Sequence, residues 1–200
     1  MKLKAISFFT LLLASTASFS QEETDITNLT KLTFLNPGIS REIRVAKLQS
    51  IYLQAFMNTS AYFSYSSSLG TDGGVNFDPA ATVQYRYYYN AKKRAEKGKR
   101  TGMNSLNYIT GLVETIFTSA AISDGDLNED NRRPVTKIGA AWGIQRNGIK
   151  HFSLDLNLGL GYVFAKGTAY DINGLNKSSP VSQFTLLGQL NLGFWLGKSN

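Results

Sequence analysis

From Phe152 to Phe164 every even position is apolar: Phe152, Leu154, Leu156, Leu158, Leu160, Tyr162 and Phe164. The odd positions between them are Ser153, Asp155, Asn157, Gly159, Gly161 and Val163. Successive side chains of a β-strand point to opposite faces, so such a segment has one wholly apolar face and one that is polar or very small. No helix tolerates that pattern, because its period would scatter the apolar residues around the axis.

The alternation recurs along the chain. Phe184, Leu186, Gly188, Leu190, Leu192, Phe194 and Leu196 oppose Thr185, Leu187, Gln189, Asn191, Gly193 and Trp195. Ile51, Leu53, Ala55, Met57, Ala61, Phe63 and Tyr65 oppose Ser50, Gln54, Asn58, Ser60, Ser64 and Ser66. Further rows are Ile138, Ala140, Trp142 and Ile144; Val83, Tyr85, Tyr87 and Tyr89; and, more weakly, Ile109, Val113 and Phe117. The implied strands are about 13 to 20 residues long, against about 5–6 for soluble sheets and about 9–11 for a tilted membrane strand. A soluble sandwich would use shorter strands, and its polar face would carry more Lys and Glu than the Gly, Ser, Asn and Gln found here. The slightly polar mean hydropathy is what a barrel with only every second residue facing lipid should show.

The first twenty residues read as a secretory signal. Lys2 and Lys4 precede the short apolar stretch 5–14, and Ala17-Ser18-Phe19-Ser20 offers small residues for cleavage before Gln21. That stretch is too short for a membrane-spanning helix, which needs about 20 apolar residues and would be the alternative reading, an uncleaved anchor. The division is therefore a signal peptide, 1–20, and a barrel domain, 21–200. Without Lys2 and Lys4, 19 basic side chains face 14 acidic ones, a formal charge of +5. The chain has no cysteine, which excludes a disulfide framework, thiolate chemistry and a lipid-anchored cysteine.

Working back from the C-terminus, seven strands account for residues 38–197. An even count requires one more near 28–35, turned by Asn36-Pro37-Gly38. Short turns are expected at Ala46-Lys47 and Asn147-Gly148, and long polar loops at 68–76, 119–134 and 166–180. Pro79, Pro134 and Pro180 are expected where those loops enter strands. Outer-membrane barrels keep short turns in the periplasm and long loops outside, so the basic segment 91–104 faces the periplasm, with a short helix from Ala91, Ala95 and Glu96. At Asn147-Gly148 the even-numbered apolar rows must share a face. A three-residue loop, Arg146-Asn147-Gly148, would pair Gln145 with Ile149 and Trp142 with Phe152, and set Lys137 opposite Asn157 and diagonal to Asp155.

Eight strands enclose an interior that side chains just fill. Arg86, Glu114, Lys137 and Asp155 fall on inward rows, and ionisable residues at membrane depth are functional candidates by default. They read as a salt-bridged polar network, with Arg86 and Glu114 on consecutive strands. A solute-binding barrel would instead need a gap beside the small residues Gly139, Ala141, Gly143, Gly159 and Gly161. The single histidine, in His151-Phe152-Ser153, shares a face with Ser153, as in outer-membrane lipid A deacylases, but lacks the acid of a hydrolytic triad. Asp124, Asp126, Asn128 and Asp130 place oxygens at alternate positions like a calcium loop, yet Glu129 stands where the pattern needs Gly and Val135 where it needs Glu. Lys92, Lys93, Arg94, Lys97, Lys99 and Arg100 follow Tyr85, Tyr87, Tyr88 and Tyr89, a composition suited to a membrane boundary rather than to nucleic acid.

The segments Lys31-Leu-Thr-Phe-Leu-Asn-Pro-Gly38, Tyr87-Tyr-Tyr-Asn-Ala-Lys-Lys-Arg94 and Leu190-Asn-Leu-Gly-Phe-Trp-Leu196 resemble those of the small outer-membrane β-barrel proteins, the superfamily of OmpX, OmpW and the OmpA barrel. The last strand departs from the usual assembly signal, since Gly197 to Asn200 follow Leu196. The resemblance implies an all-β, eight-stranded antiparallel transmembrane β-barrel, monomeric, in contact with outer-membrane lipids and the barrel-assembly machinery. It implies no catalytic residues, no cofactor and no metal. The expected role is structural or surface-interacting through external loops, with a narrow solute-binding barrel and a lipid-modifying enzyme as alternatives.

Overall fold

The computed structural model describes residues 25–66, 70–120, 131–148, 150–170 and 176–197. The chain forms eight antiparallel strands: β1 (Leu29–Leu35), β2 (Gly38–Ala46), β3 (Gln49–Ser66), β4 (Gly70–Tyr88), β5 (Asn107–Thr118), β6 (Arg133–Asn147), β7 (Phe152–Tyr170) and β8 (Asn176–Leu196). Each pairs with its sequence neighbours, and β1 also pairs with β8, closing one ring-like sheet. The one helix among the described residues, α1 (Ala91–Glu96), lies in the connection between β4 and β5. Eight strands put the start of β1 and the end of β8 at one end, the proximal end, together with the β2–β3 turn, α1 and the β6–β7 turn.

Each apolar row points outward where its side chains are described. Phe152, Leu158, Leu160, Tyr162 and Phe164 are exposed, whereas Ser153, Asp155, Asn157 and Val163 are buried. The same holds for Phe184, Leu186, Leu190 and Phe194 against Leu187, Asn191 and Trp195, and for Tyr85 and Tyr87 against Gln84 and Arg86. The side chains of Ala61, Phe63 and Tyr65 lie outside those described.

The turn after β1 is the expected one. Asn36 takes the left-handed conformation (φ 55°), and Thr33 pairs with Gly38. A Cβ at residue 38 would lie 2.4 Å from the Ala55 carbonyl, so only glycine permits this corner to press on β3. β1 and β2 are short, and above their turn the neighbouring β3 and β8 continue alone. The Asn36 side chain spans that seam: Nδ2 donates to the Leu190 carbonyl of β8 (3.2 Å), and Oδ1 accepts from the Thr59 amide of β3 (3.3 Å).

Three expectations are corrected. Residues 70–76 and most of 166–180 are strand rather than loop, because β3–β4 and β7–β8 remain paired to Ser66↔Gly70 and Tyr170↔Asn176. Pro79 and Pro180 consequently sit within strands, opposite Met57 and Lys166, and only Pro134 stands at a strand start. The β6–β7 hairpin is also longer than three residues. Trp142 pairs with Leu158 and Gln145 with Asp155, six positions beyond the expected partners, and Gly148 N–H donates to the Phe152 carbonyl at 2.7 Å. His151, not Gly148, takes the left-handed conformation (φ 63°). Its ring lies 4.2 Å from that of Trp195, whose indole N–H donates to the Gly148 carbonyl (3.0 Å), so packing inside the barrel sets the turn. A shift of six is even, so every side chain keeps its face.

Candidate functional site

Inward positions from all eight strands meet in the proximal half of the lumen, and four of them carry charge. Lys31 (β1), Glu42 (β2), Arg86 (β4) and Asp155 (β7) are each at most 1% exposed. Two cations and two anions leave the cluster neutral, which is the condition for keeping charges out of water without an uncompensated one.

Asp155 is the hub. Its Oδ2 accepts from Arg86 Nη1 (2.8 Å) and Lys31 Nζ (3.3 Å), and its Oδ1 accepts from the Tyr108 hydroxyl (2.6 Å). Gln145, on the strand beside it, links both halves. Its Oε1 accepts from Lys31 Nζ (2.7 Å) and Arg86 Nη1 (2.8 Å), while its Nε2 donates to Glu42 Oε2 (3.1 Å). Glu42 Oε1 accepts from Ser50 Oγ (2.7 Å) and the Tyr88 hydroxyl (2.5 Å).

The Arg86 guanidinium lies between two aromatic faces, its Cζ 3.7 Å from the Tyr52 ring centre and 4.2 Å from that of Tyr108. Nε donates to Gln84 Oε1 (2.9 Å), and Nη2 has no hydrogen-bond partner among the described residues. The ring faces supply the missing stabilisation, since cation–π attraction is strongest where both groups are desolvated.

Of the four charged residues expected inside, the structure joins Arg86 to Asp155 and separates them from the other two. Lys137 Nζ contacts Glu114 Oε1 at 3.2 Å, partly buried, further from the proximal end. The expected Arg86–Glu114 partnership does not form, because the β4–β5 register sets Glu114 opposite Thr82 and Arg86 opposite Thr110. Lys137 faces Val163 across β6–β7, not Asn157. Lys31 and Glu42 were missed. The signal for them is a short alternation only: Leu32 and Phe34 point outward around Lys31 and Thr33, and Ile39 and Ile43 around Ser40 and Glu42.

Below this network the proximal end is covered. Ile26, Tyr88, Ala91, Leu106 and Tyr108 form one buried apolar cluster, joined by Leu48. Asn104 holds the covering segment to the N-terminal one, accepting from the Thr27 amide (2.8 Å) and donating to its carbonyl (2.9 Å). Asp25 accepts from the Ile26 and Leu48 amides at 2.7 and 3.0 Å, and its Oδ2 lies 2.5 Å from Arg44 Nη2. Partial burial pushes its carboxyl up, but the Leu48 amide and Arg44 outweigh this and hold it below the usual 3.8.

The small inward residues do not leave a gap. A Cβ on Gly143 would meet the Tyr108 ring at 2.2 Å, one on Gly139 the Leu187 side chain at 2.7 Å, and one on Gly159 the Ala141 Cβ at 2.7 Å. Beside Glu114 and Lys137 the remaining cavity is about 10 Å³, room for about one water. His151 Nδ1 is 3.0 Å from the Trp195 carbonyl; a carbonyl only accepts, so this nitrogen carries the proton. His151 is exposed while Ser153 is buried. The positions Asp124, Asp126, Asn128 and Asp130 lie outside the described residues, as does the segment 1–20. Among the described residues, no group of acidic, His or Cys side chains could hold a metal. Comparison with models of protein families, with curated proteins and with solved structures gave no match.

Proposed function

We propose that the chain is exported by its N-terminal signal and resides in a bacterial outer membrane as an integral, non-enzymatic β-barrel with a closed lumen. Its work is structural or surface-interacting, through the loops at the end opposite the proximal one. The observation that carries this reading is the inverted polarity of the wall. Leu186 is 77% exposed and Phe184 60%, while Arg86 and Glu42 are fully buried. Each exposed Leu or Phe forgoes about 1.5–3 kcal/mol of burial in water. A ring of them far exceeds the few hundred Å² of apolar patch that soluble monomers tolerate. In lipid that cost vanishes, and a closed sheet leaves few backbone groups unpaired.

The sealed proximal half supports a barrel that does not conduct. Its partners are then outer-membrane lipids and, during insertion, the barrel-assembly machinery; it works as a monomer, without nucleic acid or cofactor. Trypsin added to intact cells is expected to cut at Arg132 in the β5–β6 loop and to spare Lys92 to Arg100. Cleavage confined to Lys92 to Arg100 would reverse the orientation, and the working surface with it.

A further inference from the structure

Among the described residues, the outer wall carries a groove of about 710 Å³ in the proximal half. Gly111 and Ala140 pair across β5–β6 and form its floor. Tyr85, Tyr87, Ile109 and Trp142 rise around them. A Cβ added at Gly111 meets nothing within 4 Å, so the groove exists because this outward position lacks a side chain. Its rim is fixed: Trp142 Nε1 donates to the Tyr89 hydroxyl at 2.6 Å, and the Tyr85 hydroxyl donates to Gln49 Oε1.

Two residues after Tyr89 the chain enters α1, where Lys92 and Lys93 are exposed, followed by exposed Lys97 and Lys99. Residues 91–100 hold six basic side chains and one acidic, a net +5. Outside it, residues 21–200 carry 13 of each sign. The whole net charge of that part of the chain therefore stands at the end of one apolar groove.

We propose that this groove and the α1 segment form a binding site for an anionic glycerophospholipid, one acyl chain lying over Gly111 and Ala140 and the headgroup meeting Lys92 and Lys93. Apolar shape and cationic charge each recur on membrane proteins. Their juxtaposition here selects both parts of one amphiphile, with Tyr89 and Trp142 at the headgroup–acyl boundary that such side chains favour. The assignment rests on the membrane-barrel reading.

The test uses the fluorescence of Trp142, which is 41% exposed on the groove, whereas Trp195 is fully buried. The full chain is folded into phosphatidylcholine vesicles containing a minor fraction of brominated phosphatidylglycerol or, separately, brominated phosphatidylcholine. The Trp142→Phe variant supplies the background. The brominated anionic lipid is expected to quench Trp142 several-fold more than the brominated neutral one. Lys92→Glu with Lys93→Glu should equalise the two by removing the headgroup contact, and Gly111→Leu by filling the groove. Equal quenching by both lipids in the unaltered protein overturns the site and leaves the barrel reading intact. Quenching by neither overturns the membrane reading itself.

Discussion

Arg86 and Asp155, 69 positions apart in sequence, meet across the lumen with Nη1 2.8 Å from Oδ2. Both are buried, so the pair is held by its neighbours rather than by water. Losing one member of a buried ion pair costs about 3–5 kcal/mol, whereas replacing both with apolar residues is often neutral. Asp155→Asn should therefore destabilise the folded barrel by about that amount, since Arg86 and Lys31 would then face only Glu42. The double change Arg86→Met with Asp155→Leu should recover much of the loss. Urea unfolding of the detergent-solubilised protein, followed by tryptophan fluorescence, measures both. Equal losses in the single and double variants would remove the charge-balance argument.

Gly143 and Gly111 make a controlled comparison. Gly143 lies under the Tyr108 ring, and an added methyl would displace the hydroxyl that bonds Asp155. Overpacking of this kind costs about 1–3 kcal/mol. Gly143→Ala is expected to destabilise by that much, while Gly111→Ala, which enters open space, should leave the unfolding midpoint within error.

The seam above the β1–β2 turn depends on Asn36. Asn36→Gly retains the left-handed backbone but removes the amide that links Leu190 to Thr59. At about 1 kcal/mol for each net hydrogen bond, the loss should be about 2 kcal/mol or less. Faster amide hydrogen exchange at Thr59, with little change at Val83, which pairs with Leu53 nearer the proximal end, is the local signature. Uniform protection at Thr59 in both proteins would show that the seam closes without Asn36.

Asp25 gives the pH dependence. Its folded carboxyl titrates below 3.8, so its contribution is fully present above that value and is lost as pH falls through the lowered one. The stability difference between the unaltered protein and Asp25→Asn should be constant from pH 7 to about pH 5 and shrink below 3.8. The group is only partly buried, so solvent screening keeps the effect small. A difference that grows on acidification would contradict the assignment of Arg44 and the Leu48 amide as its partners.

Alternation made the wall legible. Because its period is two, every row from Ile51 to Leu196 could be assigned a face without knowing any partner, and the even-strand requirement placed β1 where no row was evident. Register was not legible. Whether Gln145 faces Ile149 or Asp155 turns on Trp195 packing against His151 and Gly148, in a turn more than forty residues away, which local pattern cannot encode. The candidate site was half visible for the same reason. Arg86 and Asp155 stood on strong rows, but their partners depend on strand tilt, and Lys31 and Glu42 lie on β1 and β2, short strands whose alternation spans few residues.

The central claim is that this inverted wall is built for lipid, and membrane fractionation with gel migration tests it most directly. The full chain, expressed with its N-terminal segment in a Gram-negative host, is extracted with alkaline carbonate and run on SDS gels before and after boiling. The account predicts a membrane-pellet protein whose unheated form migrates faster than its boiled form, since a closed barrel resists SDS until heated. A carbonate-soluble protein with one band at both temperatures would contradict it.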